Sequence, residues 1–147
     1  MHPVLRNIAA VIAGIVAGSI VNMGIIMISG SIIPLPEGVD MSNTEGLREA
    51  MHLLGPQHFL FPFIAHALGT FAGAFLTAYL SVSRKLTLAL ITGLFFLAGG
   101  IFSVISLPSP IWFNVVDLVL AYIPMAYIGF YIAPDRLAAK KTRKFFI

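Results

Sequence analysis

The stretch FPFIAHALGTFAGAF, residues 61–75, decides the fold. It is nearly all apolar, and its glycine and alanine residues have the spacing of a helix packed within lipid. Its one ionisable residue, His66, lies where a charge is costly. The stretch therefore raises two questions: how many such segments the chain contains, and what His66 does among them.

The composition of the whole chain is that of a membrane protein. Of its 147 residues 59% are hydrophobic and 10% charged, with a mean hydropathy of +0.96, whereas a soluble domain carries about 25% charged residues. A chain of this length could not bury so much apolar surface in water. We therefore expect one membrane domain over residues 1–147. The absence of cysteine excludes disulfides, thiol catalysis and thiolate metal sites.

Four apolar segments approach the length of about 20 residues needed to cross a bilayer. The apolar run after Arg6 continues to about Ile33, roughly twice the length of a signal-peptide core, so we interpret it as a retained helix. Backbone groups in lipid must be satisfied within the segment, which predicts helices. The fold expected is all-α and polytopic, with four transmembrane helices at about residues 4–33, 59–80, 86–107 and 112–133.

The basic residues orient the predicted bundle. Eight of the nine fall in three segments that four alternating helices bring to one side: Arg6, Arg84, Lys85, Arg136, Lys140, Lys141, Arg143 and Lys144. By the positive-inside rule, both termini are predicted in the cytoplasm and the loop at 34–58 outside, in a multi-pass protein of the bacterial cell inner membrane. The basic tail, residues 134–147, is expected to face anionic lipid headgroups and not nucleic acid.

The outer loop is predicted to contain a short amphipathic helix. In SNTEGLREAMHLLGP, residues 42–56, Ser42 and Glu45 have the spacing of a capping box, and the final Gly-Pro is a helix stop. Between them, apolar and charged residues separate onto two faces. We expect this helix to seal the outer end of the bundle, to lie on the membrane surface, or to dock a partner.

Small residues are the expected contacts between helices, because lipid tails are as apolar as leucine and association relies on close packing. The first two spans each carry a GxxxG pair, and the third carries two adjacent glycines. These residues are predicted to pack the bundle, or alternatively to form a homodimer face: Gly14, Gly18, Gly69, Gly73, Gly99 and Gly100.

Polar side chains gather in the outer half of the predicted bundle. At 1.5 Å per residue, His66 lies about 10 Å and Asp117 about 7 Å below the outer surface. An unpaired carboxylate there is costly, so Asp117 should face inward and share a hydrogen bond with His66, assisted by Asn114 or Tyr122. The predicted intramembrane polar cluster comprises His66, Asp117, Asn22, Ser103 and Asn114.

A bond between His66 and Asp117 has three interpretations. It fixes helix register, contributing about 1 kcal/mol. It relays protons or gates a substrate, as intramembrane ionisable groups often do. Or, with His52 and His58 reaching in from the loop, it binds a metal, which needs three or four converging ligands. The chain has no HExxH or similar motif, and we predict no metal and no cofactor.

Three classes of function follow. The first is an accessory or scaffold subunit that packs with a larger membrane complex or with copies of itself. The second is a transporter or channel component with an outward-facing polar pocket that uses His66 and Asp117. The third is a membrane enzyme or metal-handling protein, for which the sequence offers no phosphate loop, no cysteine and no second carboxylate within a span. No catalytic residue is predicted.

Three stretches carry a family resemblance: AHALGTFAGA at 65–74, LPSPIWFNVVDL at 107–118 and AYIPMAYIG at 121–129. Together with the hydropathy of the whole chain, they resemble an uncharacterised family of small four-helix bacterial inner-membrane proteins with no assigned function. The resemblance implies the four-helix plan and brings no catalytic residues to transfer.

Overall fold

Helices form every regular element in the part of the chain that the structure describes. The structure, a computed structural model, describes residues 2–37 and 43–134. Its α-helices are α1 (Pro3–Ile32), α2 (Thr44–Ala50), α3 (Leu60–Leu80), α4 (Lys85–Ser106), α5 (Ile111–Leu120) and α6 (Ile123–Ile132). Short 3-10 helices at Met51–Leu53 and Pro56–Phe59 connect α2 to α3. The all-α prediction is confirmed for these residues.

Four helical segments are long and apolar enough to cross a membrane, as predicted. Their bounds lie within three residues of the predicted ones: Pro3–Ile32, Pro56–Leu80, Lys85–Ser106 and Ile111–Ile132. The second begins earlier than expected because the turn at Pro56–Phe59 continues into α3. Prolines set the C-terminal ends of the first and third, since the residue before a proline avoids the helical region: Ile33 and Leu107 are both extended.

The fourth segment is broken into α5 and α6. Pro124 lies in the first turn of α6. It has no N–H to donate, and its ring would clash with the carbonyl of Leu120 in a continuous helix. The chain therefore turns at Ala121 and Tyr122 before the helix resumes. This break positions the Tyr122 ring beside α5.

The helix α3 is the centre of the bundle, and glycines hold α1 against it. A Cβ atom on Gly14 would lie 2.5 Å from the carbonyl oxygen of Gly73, and one on Gly18 would lie 2.5 Å from the carbonyl oxygen of Gly69. The two GxxxG pairs therefore face each other within one chain. Only glycine permits this approach of the two backbones.

The two adjacent glycines of α4 have different environments. A Cβ on Gly100 would meet the ring of Tyr122. Gly99 was expected to pack as well, and that expectation is wrong: nothing lies within 4 Å of where its Cβ would be. Consecutive helical residues point about 100° apart, and here that rotation turns Gly99 away from the ring that Gly100 meets.

Alanines pack the opposite side of α3. Ala74 and Ala78 are fully buried against Ala89 of α4 and Ala126 of α6. A Cβ on Gly129 of α6 would lie 2.7 Å from the carbonyl oxygen of Phe71. Small residues thus surround α3 on both sides, and large apolar side chains point outward from the bundle.

One end of the bundle joins the start of α1 to the turn between α3 and α4. The Arg6 Nε donates to the Leu80 carbonyl oxygen at 3.3 Å. The Asn7 side chain donates to the Ser83 hydroxyl at 2.9 Å and accepts from the Val82 N–H at 3.0 Å. The first basic residue and the basic turn Arg84-Lys85 therefore occupy the same end.

The opposite end is covered by residues 43–59. Met51, Phe59 and Phe113 form a buried cluster there, with four partly buried residues packed against it: Leu47, Leu54, Phe63 and Leu107. The helix α2 is capped by the Asn43 side chain, which accepts from the Gly46 N–H at 2.7 Å. The expected cap, Ser42, lies outside the described residues, and the cap observed is one residue later. The basic tail also lies outside the described residues beyond Pro134.

Candidate functional site

A cavity of about 450 Å³ lies beneath this covering segment. The ends of α1, α3, α4 and α5 nearest the covering segment form its walls, and residues 47–59 form its roof. This end of the bundle is the one predicted to face outward. Its lining is mostly apolar. We call it the outer cavity, and its size is within the range of about 300–1,000 Å³ usual for small-molecule sites.

Three polar side chains meet at one wall of the outer cavity. The His66 Nδ1 lies 2.9 Å from both carboxylate oxygens of Asp117. The Tyr122 hydroxyl donates to Asp117 Oδ2 at 2.8 Å. Asp117 is 2% exposed and Tyr122 is also 2% exposed. The hydrogen bond predicted between His66 and Asp117 is therefore present, and we call these three residues the polar triad.

The polar triad determines which hydrogen bonds His66 can make. Its Nδ1 is equally distant from the two carboxylate oxygens of Asp117, so an N–H on this atom would donate between them. With Nδ1 carrying the proton, the neutral imidazole leaves Nε2 as an acceptor. The His66 side chain is 19% exposed and lines the outer cavity.

Of the other three residues of the predicted polar cluster, two line the outer cavity and one does not. Ser103 and Asn114 line the outer cavity with His66 and Asp117. Asn114 does not assist Asp117 as expected. Its side chain instead accepts from the Ser109 hydroxyl at 2.6 Å and donates to the Ser109 carbonyl oxygen at 3.3 Å, because Ser109 lies in the turn just before α5.

Asn22 does not join the outer cavity. It packs against α3, where its Cβ would lie 2.9 Å from a Cβ on Gly69. Gly69 is three residues past His66 along α3, which places Asn22 about one turn deeper than the polar triad. Ser29 of α1 does line the outer cavity, and its hydroxyl donates to the Ile26 carbonyl oxygen at 2.7 Å.

The structure gives no support to the metal interpretation. In residues 2–37 and 43–134, no group of three or more His, Asp or Glu side chains converges. His58 lines the outer cavity, but its two ring nitrogens lie 3.2 Å from the carbonyl oxygens of Gly55 and Pro34. His58 therefore fastens the covering segment to the end of α1.

The inner side of the outer cavity is closed by tight packing. Below the polar triad, Phe96 of α4 packs against Gly18 and Gly73. Deeper still, the Thr77 and Thr92 hydroxyls are 2.9 Å apart, and both residues are fully buried. These contacts fill the space between α1, α3 and α4 below the outer cavity.

Tyr122, Phe59 and Phe113 are site residues outside the polar cluster predicted from the sequence. We call Phe59, at the end of the covering segment, and Phe113, on α5, the aromatic roof. Tyr122 was considered as an assistant to Asp117 but not included in the predicted cluster. The signal that could have found it is Pro124, because a helix break there turns Tyr122 back toward Asp117. No local signal predicts that Phe59 and Phe113 approach to a ring-centroid distance of 4.9 Å.

One buried hydroxyl lies a turn below His66 on α3. Thr70 is fully buried, and its Oγ1 has no hydrogen-bond partner among the described residues. A buried polar group without a partner costs about 1–3 kcal/mol.

We therefore expect Thr70→Val, which keeps the shape and removes the hydroxyl, to stabilise the protein by about 1 kcal/mol. Thermal unfolding in detergent measures the effect. The matched change Thr77→Val should destabilise it instead, because the Thr77 hydroxyl is bonded to Thr92. A loss of stability in Thr70→Val would mean that its hydroxyl has a partner.

The fold and the site together define a class. Four helices of this length and apolarity, arranged around a buried polar triad, make the chain a multi-pass helical membrane protein. Comparison with protein-family models, with curated proteins and with solved structures finds no match for the chain.

Proposed function

We propose that this protein binds a small amphiphilic molecule in the outer cavity, as the binding component of a transport or accessory system. The observation that carries the proposal is the polar triad at the wall of a mostly apolar cavity. Apolar pockets with a few convergent polar groups are the usual form of a small-molecule site.

The closed inner side favours binding over conduction. Below the polar triad, Phe96 packs against Gly18 and Gly73, and the Thr77 and Thr92 hydroxyls bond to each other. In this proposal the protein supplies the polar pocket expected of a transporter component. The translocation step then depends on a rearrangement, a second copy or a larger partner.

We place the outer cavity on the outer side of a cell inner membrane, with both termini in the cytoplasm. The distribution of basic residues supports this orientation. So does the bond between Arg6 and Leu80, because it brings the first two basic segments to the same end. In this orientation α2 covers the outer end, with Leu47 inward and the exposed Glu45, Arg48 and Glu49 toward water.

The binding proposal predicts that Val104→Phe, which fills the outer cavity, removes a co-purifying molecule. Val104 lines the outer cavity on α4. Purified protein would be analysed by native mass spectrometry, and released molecules would be identified. We expect wild type to carry a bound molecule at least tenfold more often than Val104→Phe. Equal occupancy in the two would contradict the proposal, and Gly99→Ala, which meets open space, is the matched control.

An accessory subunit remains the second proposal, as a member of a larger membrane complex or a homo-oligomer. The observation that favours it is the outer surface of α1, where an unbroken row of large apolar side chains is exposed: Val4, Ile8, Ile12, Val16, Ile20, Met23 and Met27. Lipid or a protein can cover this row. Purification in mild detergent decides between them, since a stoichiometric protein partner lost on Ile12→Ser would favour the accessory role.

A further inference from the structure

The outer cavity opens sideways along α1. Met27 is 75% exposed, yet it lines the outer cavity. Gly30, one turn further, is also exposed and lines it, and a Cβ there would have nothing within 4 Å. Because Met27 and Gly30 line the cavity and are also exposed on the outside of the bundle, they mark the position of its opening. In a membrane this opening faces the lipid of one leaflet, so an occupant can keep an apolar tail in lipid.

At the wall formed by the polar triad, the group available to an occupant is a hydrogen-bond acceptor, Nε2 of His66. The Asp117 carboxylate is covered, since both of its oxygens lie at bonding distance from His66 and one also accepts from Tyr122. When Nδ1 donates to Asp117 and the ring is neutral, Nε2 of His66 keeps an unshared lone pair, and we base the assignment of the ligand on this form. An occupant that meets this atom must donate a hydrogen bond.

The charge around the outer cavity disfavours an ionised head. No lysine or arginine lines it among the described residues, so a phosphate or carboxylate would lie beside Asp117 without a counter-charge. An ammonium would lose its hydration in an apolar cavity while the carboxylate stays covered by His66 and Tyr122. A neutral hydroxyl needs neither a counter-charge nor a second partner.

Resting on the proposed binding function, we infer that the ligand is a neutral single-chain amphiphile with a hydroxyl head, such as a long-chain alcohol or phenol. Its hydroxyl donates to Nε2 of His66. Its tail leaves the outer cavity past Met27 and Gly30 into the lipid. The aromatic roof of Phe59 and Phe113 covers the carbon atoms next to the hydroxyl.

Trp112 is the reporter for a test, because it is the only tryptophan in the chain. Its ring lies edge-on to two roof residues, with centroids 5.8 Å from Phe59 and 6.0 Å from Phe113. The protein in phosphatidylcholine nanodiscs would be titrated with 1-dodecanol, dodecanoate or dodecylamine at equal membrane mole fraction. We expect a saturable change in Trp112 emission with 1-dodecanol, at an affinity at least tenfold higher than with either charged probe.

Two variants separate specific binding from partition into the membrane. Val104→Phe should abolish the saturable change. His66→Phe combined with Asp117→Asn removes the acceptor while the amide keeps a bond from Tyr122, and it should weaken 1-dodecanol binding about tenfold, the effect of one hydrogen bond. Gly99→Ala, away from the outer cavity, should bind as wild type does.

The outcomes distinguish failure of the hydroxyl assignment from failure of the proposed binding function. Preference for dodecanoate or dodecylamine would overturn the hydroxyl assignment and leave the pocket standing. Unchanged affinity for 1-dodecanol in the His66 and Asp117 double variant would also overturn it. No saturable change with any of the three probes would overturn the binding function itself.

Discussion

Gly14→Leu is expected to destabilise the bundle by about 3 kcal/mol or more, because overpacking at a backbone contact cannot be relieved by a side-chain rotation. A Cβ on Gly14 would meet the Thr77 hydroxyl and lie 2.5 Å from the Gly73 carbonyl oxygen. Leucine would separate α1 from α3 and break the contact between Thr77 and the Ala10 carbonyl oxygen, which is 3.4 Å long.

The same helix supplies the control. Gly24 of α1 has nothing within 4 Å of its Cβ position, so Gly24→Leu should leave the unfolding temperature unchanged or slightly higher. Thermal unfolding in detergent, followed by Trp112 fluorescence, compares the two. Equal losses in both variants would mean that α1 does not pack on α3 through this ridge.

His66→Leu is expected to destabilise the protein by about 3 kcal/mol, because it leaves the buried Asp117 carboxylate with Tyr122 alone. His66→Gln combined with Asp117→Asn should cost only about 1 kcal/mol, since two neutral amides can keep a bond across the same helices. The double variant is therefore more stable than the single one, although it changes more of the site.

Denaturant unfolding of the three proteins in one detergent measures this difference. Gly24→Leu serves again as the neutral reference, because nothing lies within 4 Å of the Cβ position of Gly24. If the double variant is at least as unstable as His66→Leu, then the carboxylate of Asp117 is not the group that needs His66.

The helices could be predicted because the membrane imposes a simple rule on the backbone. Each predicted span agrees with an observed one within three residues, since the apolar lengths follow from bilayer thickness. The pairing of His66 with Asp117 followed from the same reasoning. The two residues have matched depths, and either side chain without a hydrogen-bond partner in lipid costs free energy. The sequence gives the depth of a residue along its helix. It does not give the direction around the helix axis in which the side chain points.

Rotation explains the errors at single residues. Gly99 and Gly100 have the same depth, yet only Gly100 meets Tyr122. Asn114 lies one turn before Asp117, yet it bonds to the Ser109 turn, because the start of α5 offers a nearer partner than the cavity interior. The roof depends on where residues 43–59 fold back, which long-range packing of Phe59 on Phe113 decides.

The glycine ridges are predicted to pack the bundle, with a homodimer face as the alternative. In the structure the ridges of α1 and α3 face each other, so the bundle itself uses them. The proposed binding function rests on the outer cavity instead, and no periodic pattern in the sequence indicates that cavity.

The central claim is that Asp117 holds His66 with its proton on Nδ1 and presents Nε2 to the outer cavity. Nitrogen NMR of the protein in nanodiscs, with ¹⁵N-labelled histidine, tests it most directly. The chain has four histidines, and the spectrum of the His66→Gln and Asp117→Asn variant identifies the signal of His66. We expect a protonated Nδ1, an unprotonated Nε2, and a shift of the Nε2 signal alone when 1-dodecanol is added. A proton on Nε2 of His66 in the absence of ligand would contradict it.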